Sequence, residues 1–138
     1  MNHLSSIGLS LVFVVCGSVA SVSAEATMEA MQGAWAMAGT DCGAIFERTG
    51  SEVRFKDPGS SLDTGIIVTG RKVVGPSATC TTTSISEKGD HFSVLLNCAD
   101  AVLSSTVSMS FRMIDSMHFE RFDPSFPEFS LSYVKCPF

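Results

Sequence analysis

Charged side chains are scarce in this sequence: Asp, Glu, Lys and Arg make up 17% of the 138 residues, and no Lys/Arg cluster occurs. The formal net charge is −5. An acidic chain without a basic patch repels phosphate, which argues against nucleic-acid binding. Hydrophobic residues nevertheless make up 45% of the chain, too large a share for intrinsic disorder. Length and composition therefore indicate one globular domain.

Motifs that carry catalytic or metal chemistry are also missing. No serine lies in a G-x-S-x-G turn, no glycine-rich phosphate loop opens a predicted helix, and no two cysteines have zinc-ligand spacing. We therefore expect no enzymatic activity, no cofactor and no bound metal.

One weak pattern stands against that expectation. His118 and Glu120 alternate on a predicted strand, so their side chains point to the same face. With His91 as a further candidate, they suit a metal-dependent or acid–base enzyme. The alternative is a solvated strand face with Phe119 turned inward. This alternative is favoured, because a metal site generally needs three or four ligands.

The N-terminal region differs from the rest of the chain. Ile7–Val22 contains no charged residue, and the small residues of Val22-Ser23-Ala24 follow the pattern of a signal-peptidase site. This predicts a signal peptide over residues 1–24 and a single mature domain over residues 25–138, either periplasmic or secreted. No membrane span would remain after cleavage. A retained membrane anchor is the alternative, because residues 1–6 contain no Lys or Arg.

Four cysteines remain in the predicted mature domain: Cys42, Cys80, Cys98 and Cys136. An even number of cysteines in an exported domain predicts two disulfide bonds. Four cysteines allow three pairings, and the predicted strand pairing indicates which of the three to expect.

A predicted β-hairpin favours one of these pairings. A three-residue loop over Lys88–Asp90 would place Glu87 opposite His91. Counting back from that pair places Cys80 opposite Cys98, which is close to disulfide reach. By elimination, Cys42 then pairs with Cys136 and closes a loop of about 95 residues, which gives roughly 4–5 kcal/mol in the chain-entropy model.

Short strand patterns separated by turn signals dominate the domain. Val102–Ile114 is the clearest strand, because apolar and polar side chains alternate along it. Two segments suggest helix: Ala26–Gln32, and Cys42–Glu47, which Thr40 or Asp41 can cap. The second is equally consistent with a strand over Ala44–Arg48 paired with Glu52–Lys56. Asp123–Pro127 is expected to be an irregular loop.

These patterns together give about seven or eight short strands without long helices. They predict an all-β domain, a small antiparallel barrel with a short N-terminal helix, with a β-sandwich as the alternative.

Gly33-Ala34-Trp35 follows the short helical segment and resembles the G-x-W opening of lipocalin-type barrels. The resemblance implies that Trp35 packs at the closed end of a barrel, under a basic side chain from a late strand. Lys135 and Arg121 are the candidates for that side chain.

Most of the predicted mature chain also resembles a group of small exported alphaproteobacterial proteins with four cysteines. The resemblance is carried by Gly33-Ala34-Trp35, Asp41-Cys42 with Phe46, Gly70-Arg71, Ala78-Thr79-Cys80, Cys98, and Leu131-Ser132-Tyr133-Val134-Lys135-Cys136. It implies a periplasmic or secreted location and the four-cysteine frame, and it carries over no catalytic residue.

Four side chains are candidates for binding: Trp35, Phe126, Arg54 and Arg71. For Trp35 a core role is the favoured alternative, because its ring is a large apolar group. Phe126 lies between two prolines in an aromatic segment, which favours an exposed apolar patch. Arg54 and Arg71, together with Lys56 and Lys72, are candidates for a modest anion patch. The usual alternative is a scattered basic edge, on which Lys blocks strand pairing.

These residues suggest a non-enzymatic exported β-barrel module that binds a small apolar ligand or a protein partner. A specific form is an inhibitor of an exported hydrolase that acts through Glu25–Gln32 or Asp123–Glu128. A structural envelope protein is the alternative outside binding and catalysis.

Overall fold

In a computed structural model, the structure describes residues 24–60, 62 and 64–138. The predicted signal peptide lies outside the described residues, except for Ala24, which begins the first helix. The described chain contains helices α1 (Ala24–Ala30) and α2 (Cys42–Ile45) and strands β1 (Gly33–Met37), β2 (Phe46–Thr49), β3 (Glu52–Phe55), β4 (Gly65–Thr69), β5 (Lys72–Val74), β6 (Thr79–Lys88), β7 (His91–Ala99), β8 (Ser104–Met113), β9 (His118–Asp123) and β10 (Phe126–Lys135).

Eight of these strands form a closed antiparallel barrel in the order β1-β10-β9-β8-β7-β6-β5-β4. The other two, β2 and β3, form a separate two-stranded sheet. The predicted all-β barrel with a short N-terminal helix is therefore confirmed, and the sandwich alternative is not adopted. Closure pairs the barrel edges with each other, which removes the open edges of a flat sheet.

The β6–β7 hairpin corrects the predicted register. Lys88 lies opposite His91, so the turn has two residues, and Glu87 faces Phe92 rather than His91. Gly89 has φ +65°, which suits the first central position of a two-residue hairpin turn. A bulge between Thr82 and Ser84 then shifts the register by one residue.

The bulge explains why the disulfide prediction is correct although the predicted length of the turn is wrong. One residue fewer in the loop is offset by one extra residue on β6, so Cys80 and Cys98 still lie opposite each other. The structure confirms both predicted bridges, Cys80–Cys98 and Cys42–Cys136.

The segment at Asp123–Pro127 also differs from its prediction as an irregular loop. Phe126 lies opposite Asp123 across a two-residue turn. The backbone N–H of Ser125 donates to the Asp123 carboxylate at 2.8 Å. Asp followed by Pro favours such a side-chain-stabilised turn, and this tight hairpin replaces the expected loop.

Both interpretations of the segment after Asp41 are realised in succession. Asp41 caps α2, since its carboxylate accepts a hydrogen bond from the Ala44 N–H at 2.9 Å. The chain then becomes extended at Phe46, and β2 pairs with β3. The capped turn is helical, and the residues after it form the predicted strand.

Aromatic rings fill the centre of the barrel. Trp35, Phe119 and Tyr133 are fully buried. The ring centroids of Trp35 and Phe119 are 4.9 Å apart in a T-shaped contact, and those of Phe119 and Tyr133 are 4.7 Å apart and stacked. Lys135 Nζ lies 5.3 Å from the Trp35 ring centroid. The structure thus places Lys135 over Trp35, while Arg121 lies over Tyr133.

A second, smaller core lies between the barrel and the β2–β3 hairpin. Phe46 and Phe55 from the hairpin pack with Ala34, Ala36 and Ile67 from the barrel strands. Ile66 and Val68, the neighbours of Ile67, belong instead to the interior core. The continuous apolar run of β4 follows from this arrangement, because both faces of the strand are covered.

Candidate functional site

A small cavity lies among the interior side chains of the barrel. In the described part of the chain, the cavity between Met31, Val94 and Phe111 has a volume of about 20 Å³. Such a volume holds about one water molecule. Close packing of the central rings therefore leaves no room there for a small apolar ligand.

A larger cavity lies outside the barrel, beside the β2–β3 hairpin. This outer cleft has a volume of about 960 Å³. Val53 and Phe55 border it from the hairpin, Ile67 and Val74 from the barrel, and Phe138 from the C-terminal segment. Ligand pockets commonly have volumes of 300–1,000 Å³, so the outer cleft is within the usual size for a small-molecule site.

Charged side chains surround the outer cleft: Arg54, Lys72 and Lys135 are cationic, and Glu52 and Asp100 are anionic. Arg54 Nε is 2.7 Å from Glu47 Oε1. Among the described residues, no carboxylate lies within ion-pair distance of Lys72 or Lys135. Because the charge of Arg54 is paired with Glu47, the two lysines at the outer cleft are matched in number by Glu52 and Asp100.

Asp100 is the less available of the two acids. Its carboxylate accepts hydrogen bonds from the backbone N–H groups of Leu103 and Val102, both at 2.7 Å. These two bonds lower the pKa of Asp100. The carboxylate is thus engaged in shaping the β7–β8 loop.

A second candidate surface is the β9–β10 hairpin end over Asp123–Leu131, called the aromatic tip here. Phe126 is 57% exposed and Phe129 is 75% exposed. Ser130 faces Phe122, so the three residues between Phe126 and Ser130 have no counterpart on β9. The resulting bulge projects apolar side chains from an otherwise paired hairpin.

The aromatic tip also extends past its neighbour on the other side. The register of β10 with β1 runs from Lys135 to Tyr133, and the N–H of Ala38 donates to the Ser132 carbonyl at 2.8 Å. Ala38 directly follows β1, and Phe126–Leu131 continues beyond this bond in the described chain. Pro127 and the bulge prevent this edge from pairing with a further strand. The exposed Phe side chains are therefore the groups available for binding.

His118 and Glu120 are held by different partners. His118 Nδ1 lies 2.8 Å from Asp115 Oδ1, whereas Glu120 Oε2 lies 3.3 Å from an Arg112 guanidinium nitrogen. Phe119, between them, points into the barrel and is fully buried. Phe119 is therefore turned inward, as the favoured alternative to a site has it, while Glu120 is half-buried beside Arg112.

No group of three or more His, Cys, Asp and Glu side chains with metal-binding geometry occurs in the described ranges. His91, the third candidate, lies with its Nδ1 3.0 Å from Asp90 Oδ1 and with its ring against Phe122.

The four predicted binding residues occupy different environments. Trp35 is fully buried, and its Nε1–H donates to the Met31 carbonyl at 2.8 Å. Arg54 borders the outer cleft, whereas Arg71 borders a separate depression and donates to the Thr82 and Thr83 carbonyls. Phe126 lies on the aromatic tip.

The four basic residues considered for an anion patch do not share one surface, an arrangement that matches the alternative of a scattered basic edge. Arg54 and Lys72 share the outer cleft, but Arg71 lies outside it and Lys56 donates its Nζ hydrogen bond to the Gly43 carbonyl. The cause is tertiary, since the β2–β3 hairpin folds over β4 and β5. Lys135 and Phe129 were missed as site residues. The density of aromatic residues between Phe122 and Phe129 was the sequence feature that could have identified Phe129 as a site residue.

Comparison with protein-family models, curated proteins and solved structures finds no match to the chain. No helix in the described ranges is long and apolar enough to cross a membrane.

Proposed function

We propose that the protein is a non-enzymatic, exported binding module that docks a protein partner through the aromatic tip. The observation that carries the proposal is the exposure of Phe126 and Phe129 on a hairpin whose turn is fixed by Asp123. The two disulfides suit an oxidising compartment, in which an exported module would work.

The exposed rings supply the binding free energy. Burying one Phe side chain is worth about 1.5–3 kcal/mol. A tight turn and strand pairing already fix the backbone on both sides of the bulge, so docking orders few additional residues. A preordered tip binds more tightly than a mobile loop with the same side chains.

The charge around the tip indicates what kind of partner it suits. Asp123 and Glu128 flank the two rings, and both are exposed. The rest of the protein is also acidic, with a net charge of −5. The matching surface is an apolar concavity with a basic rim, such as the active-site cleft of an exported hydrolase.

Site-specific photo-crosslinking tests the proposal. A photoreactive phenylalanine analogue is placed at Phe129 and, as a control, at Ser86 on the exposed face of β6. We expect one defined adduct at Phe129, absent at Ser86 and lost on competition with excess unlabelled wild-type protein. Matching adducts at both positions, or none at Phe129, would overturn the proposal.

A pair of substitutions distinguishes specific docking through the aromatic tip from nonspecific adhesion of exposed apolar side chains. Phe129→Ser removes the ring, and Val102→Ser removes an apolar side chain that is 85% exposed on the β7–β8 loop. An unlabelled Phe129→Ser protein should fail to compete for the adduct, whereas an unlabelled Val102→Ser protein should compete like wild type. Equal competition by both proteins would count against docking through the tip.

A further inference from the structure

One edge of β8 carries a second inference, which does not depend on the aromatic tip. β7 pairs with β8 from Ser104 to Phe111, whereas on the other side β9 pairs with Ser110–Met113. The β8–β9 register, continued, places Ser108 opposite Pro124, which has no N–H to donate. The segment Ser104–Ser108, called the open edge here, therefore has no paired strand on its β9 side in the described chain.

The open edge presents backbone hydrogen-bonding groups to solvent. The N–H of Ile114 donates to the His118 carbonyl at 3.0 Å, across the β8–β9 pairing. Alternate residues of a strand direct their N–H and C=O groups to the same side, and β8 keeps one register with β7 throughout. Ser104, Thr106 and Ser108 therefore direct these groups to the side that β9 leaves uncovered.

Two other free strand edges of the described chain carry features that discourage pairing with a further strand. The β2–β3 hairpin has charged side chains on both strands, and the aromatic tip has Pro127 and a bulge. The open edge has neither feature, because no charged residue, proline or bulge occurs between Ala101 and Phe111. An edge of this kind is suited to the addition of a strand from outside.

We infer that the open edge binds a short, extended, uncharged peptide segment of another protein, which pairs antiparallel to β8 beyond the end of β9. Ser104, Thr106 and Ser108 are exposed. Val107 lies on the opposite face, which Met109 directs toward the interior core. A segment that alternates Thr with Val suits both faces, because Thr pairs with Thr or Ser across strands and an apolar residue beside Val107 leaves water.

A second copy of β8 suits the open edge less well than a short segment does. Antiparallel pairing of two copies about Thr106 places Leu103 of one copy opposite Met109 of the other. The continued β8–β9 register puts Asp123 at that position, next to the turn at Pro124. Each copy also carries a net charge of −5. The occupant is therefore a segment that ends before the β9–β10 turn.

Backbone amide NMR on the mature protein tests the inference with a synthetic peptide, acetyl-Thr-Val-Thr-Val-Thr-Val-amide, N-methylated at its Val residues. The methyl groups block one edge of the peptide, so that it cannot assemble into sheets of its own, and leave the Thr N–H groups free to pair with β8. We expect shifts at Ser104, Thr106 and Ser108, and none with the same peptide methylated at every residue. Shifts confined to other strands, equal shifts with both peptides, or no shifts up to the solubility limit would overturn the inference.

A pair of substitutions at Thr106 tests the backbone contact. Thr106→Pro removes the N–H that faces the open side, and Pro is tolerated on an edge strand where this N–H faces solvent. Thr106→Ala retains the N–H and is the matched control, because both variants lose the side-chain hydrogen bond to Asn97 Oδ1. We expect Thr106→Pro to bind the peptide at least about threefold more weakly than Thr106→Ala, the scale of one lost backbone hydrogen bond. Equal affinity of the two variants would contradict the inference.

Sedimentation of the wild-type protein over a range of concentrations tests the other occupant of the open edge. We expect a monomer throughout, because a second copy meets the β9–β10 turn. A dimer that Thr106→Pro abolishes and Thr106→Ala retains would assign the open edge to a second copy of the chain. That result would overturn the inference of a segment from another protein.

Discussion

Phe126 lies opposite Asp123 across a two-residue turn, and the register then slips so that three residues of β10 have no counterpart on β9. The turn fixes the position of Phe126, and the bulge exposes Phe129. An exposed ring on a fixed hairpin contributes little to folding. It is available for a partner without any conformational change.

Removing the exposed rings should leave the fold intact. We expect Phe129→Ser to change the free energy of unfolding by less than about 0.5 kcal/mol, because the ring is mostly in solvent. Phe119→Ala should cost about 3–5 kcal/mol, because that ring is fully buried between Trp35 and Tyr133. Urea unfolding measures both values. A large loss for Phe129→Ser would assign that residue a structural role.

The two disulfides should contribute unequally. Cys42–Cys136 joins residues 94 apart, and Cys80–Cys98 joins residues 18 apart. The chain-entropy model gives about 4–5 kcal/mol for the longer loop and about 3 kcal/mol for the shorter. We therefore expect the Cys42→Ser/Cys136→Ser double variant to unfold at lower denaturant concentration than Cys80→Ser/Cys98→Ser. The reverse order would show that residual structure or side-chain packing outweighs loop length.

Gly65 should not tolerate a side chain. A Cβ atom at this position would lie 2.5 Å from the Trp35 carbonyl oxygen and 2.9 Å from Phe46 Cζ. Gly65→Ala should thus push against both the neighbouring strand β1 and the hairpin and cost about 1–3 kcal/mol. Gly75→Ala is the matched control, since its nearest neighbour is 3.7 Å away. Thermal unfolding compares them, and equal melting temperatures would contradict the close packing at Gly65.

Acid should weaken the β8–β9 connection. Two hydrogen-bond partners lower the pKa of Asp115 in the folded protein: the N–H of Met117, which has the larger effect, and the ring of His118. A lowered folded-state pKa contributes stability above the unfolded value of about 3.9, and that contribution is lost as the pH falls through the folded-state pKa. Asp115→Asn should therefore reduce stability at pH 7 and flatten the dependence below pH 4. Asp57→Asn, in an exposed loop, is the control. Identical pH profiles for wild type and Asp115→Asn would rule out this contribution.

Local patterns in the sequence predicted most of the fold. Val107, Met109, Phe111 and Met113 alternate with polar residues, and β8 buries that face against the interior core. The pairing of Cys80 with Cys98 also followed from local counting. The bulge in β6 could not be predicted from the local sequence pattern, because nothing near Thr83 indicates that it is the extra residue. The correct pairing thus came from two register differences that offset each other.

The candidate surfaces were less predictable because they depend on tertiary packing. Arg54 and Lys72 border one cleft only because the β2–β3 hairpin lies against the outside of β4 and β5. Trp35 was a binding candidate with a core role as the favoured alternative, and the barrel buries it completely. Phe126 was predicted from its flanking prolines. The prominence of Phe129 required the bulge, which the sequence pattern does not reveal.

The most direct test of the account is the affinity of the crosslinked partner for two double variants, measured by titration calorimetry. Phe126→Ala/Phe129→Ala alters the aromatic tip, and Val102→Ala/Leu103→Ala alters equally exposed apolar side chains on the β7–β8 loop. We expect the tip variant to lose at least about tenfold in affinity, equivalent to about 1.4 kcal/mol, and the loop variant to bind like wild type. Wild-type affinity in the tip variant would show that the partner does not dock through the aromatic tip.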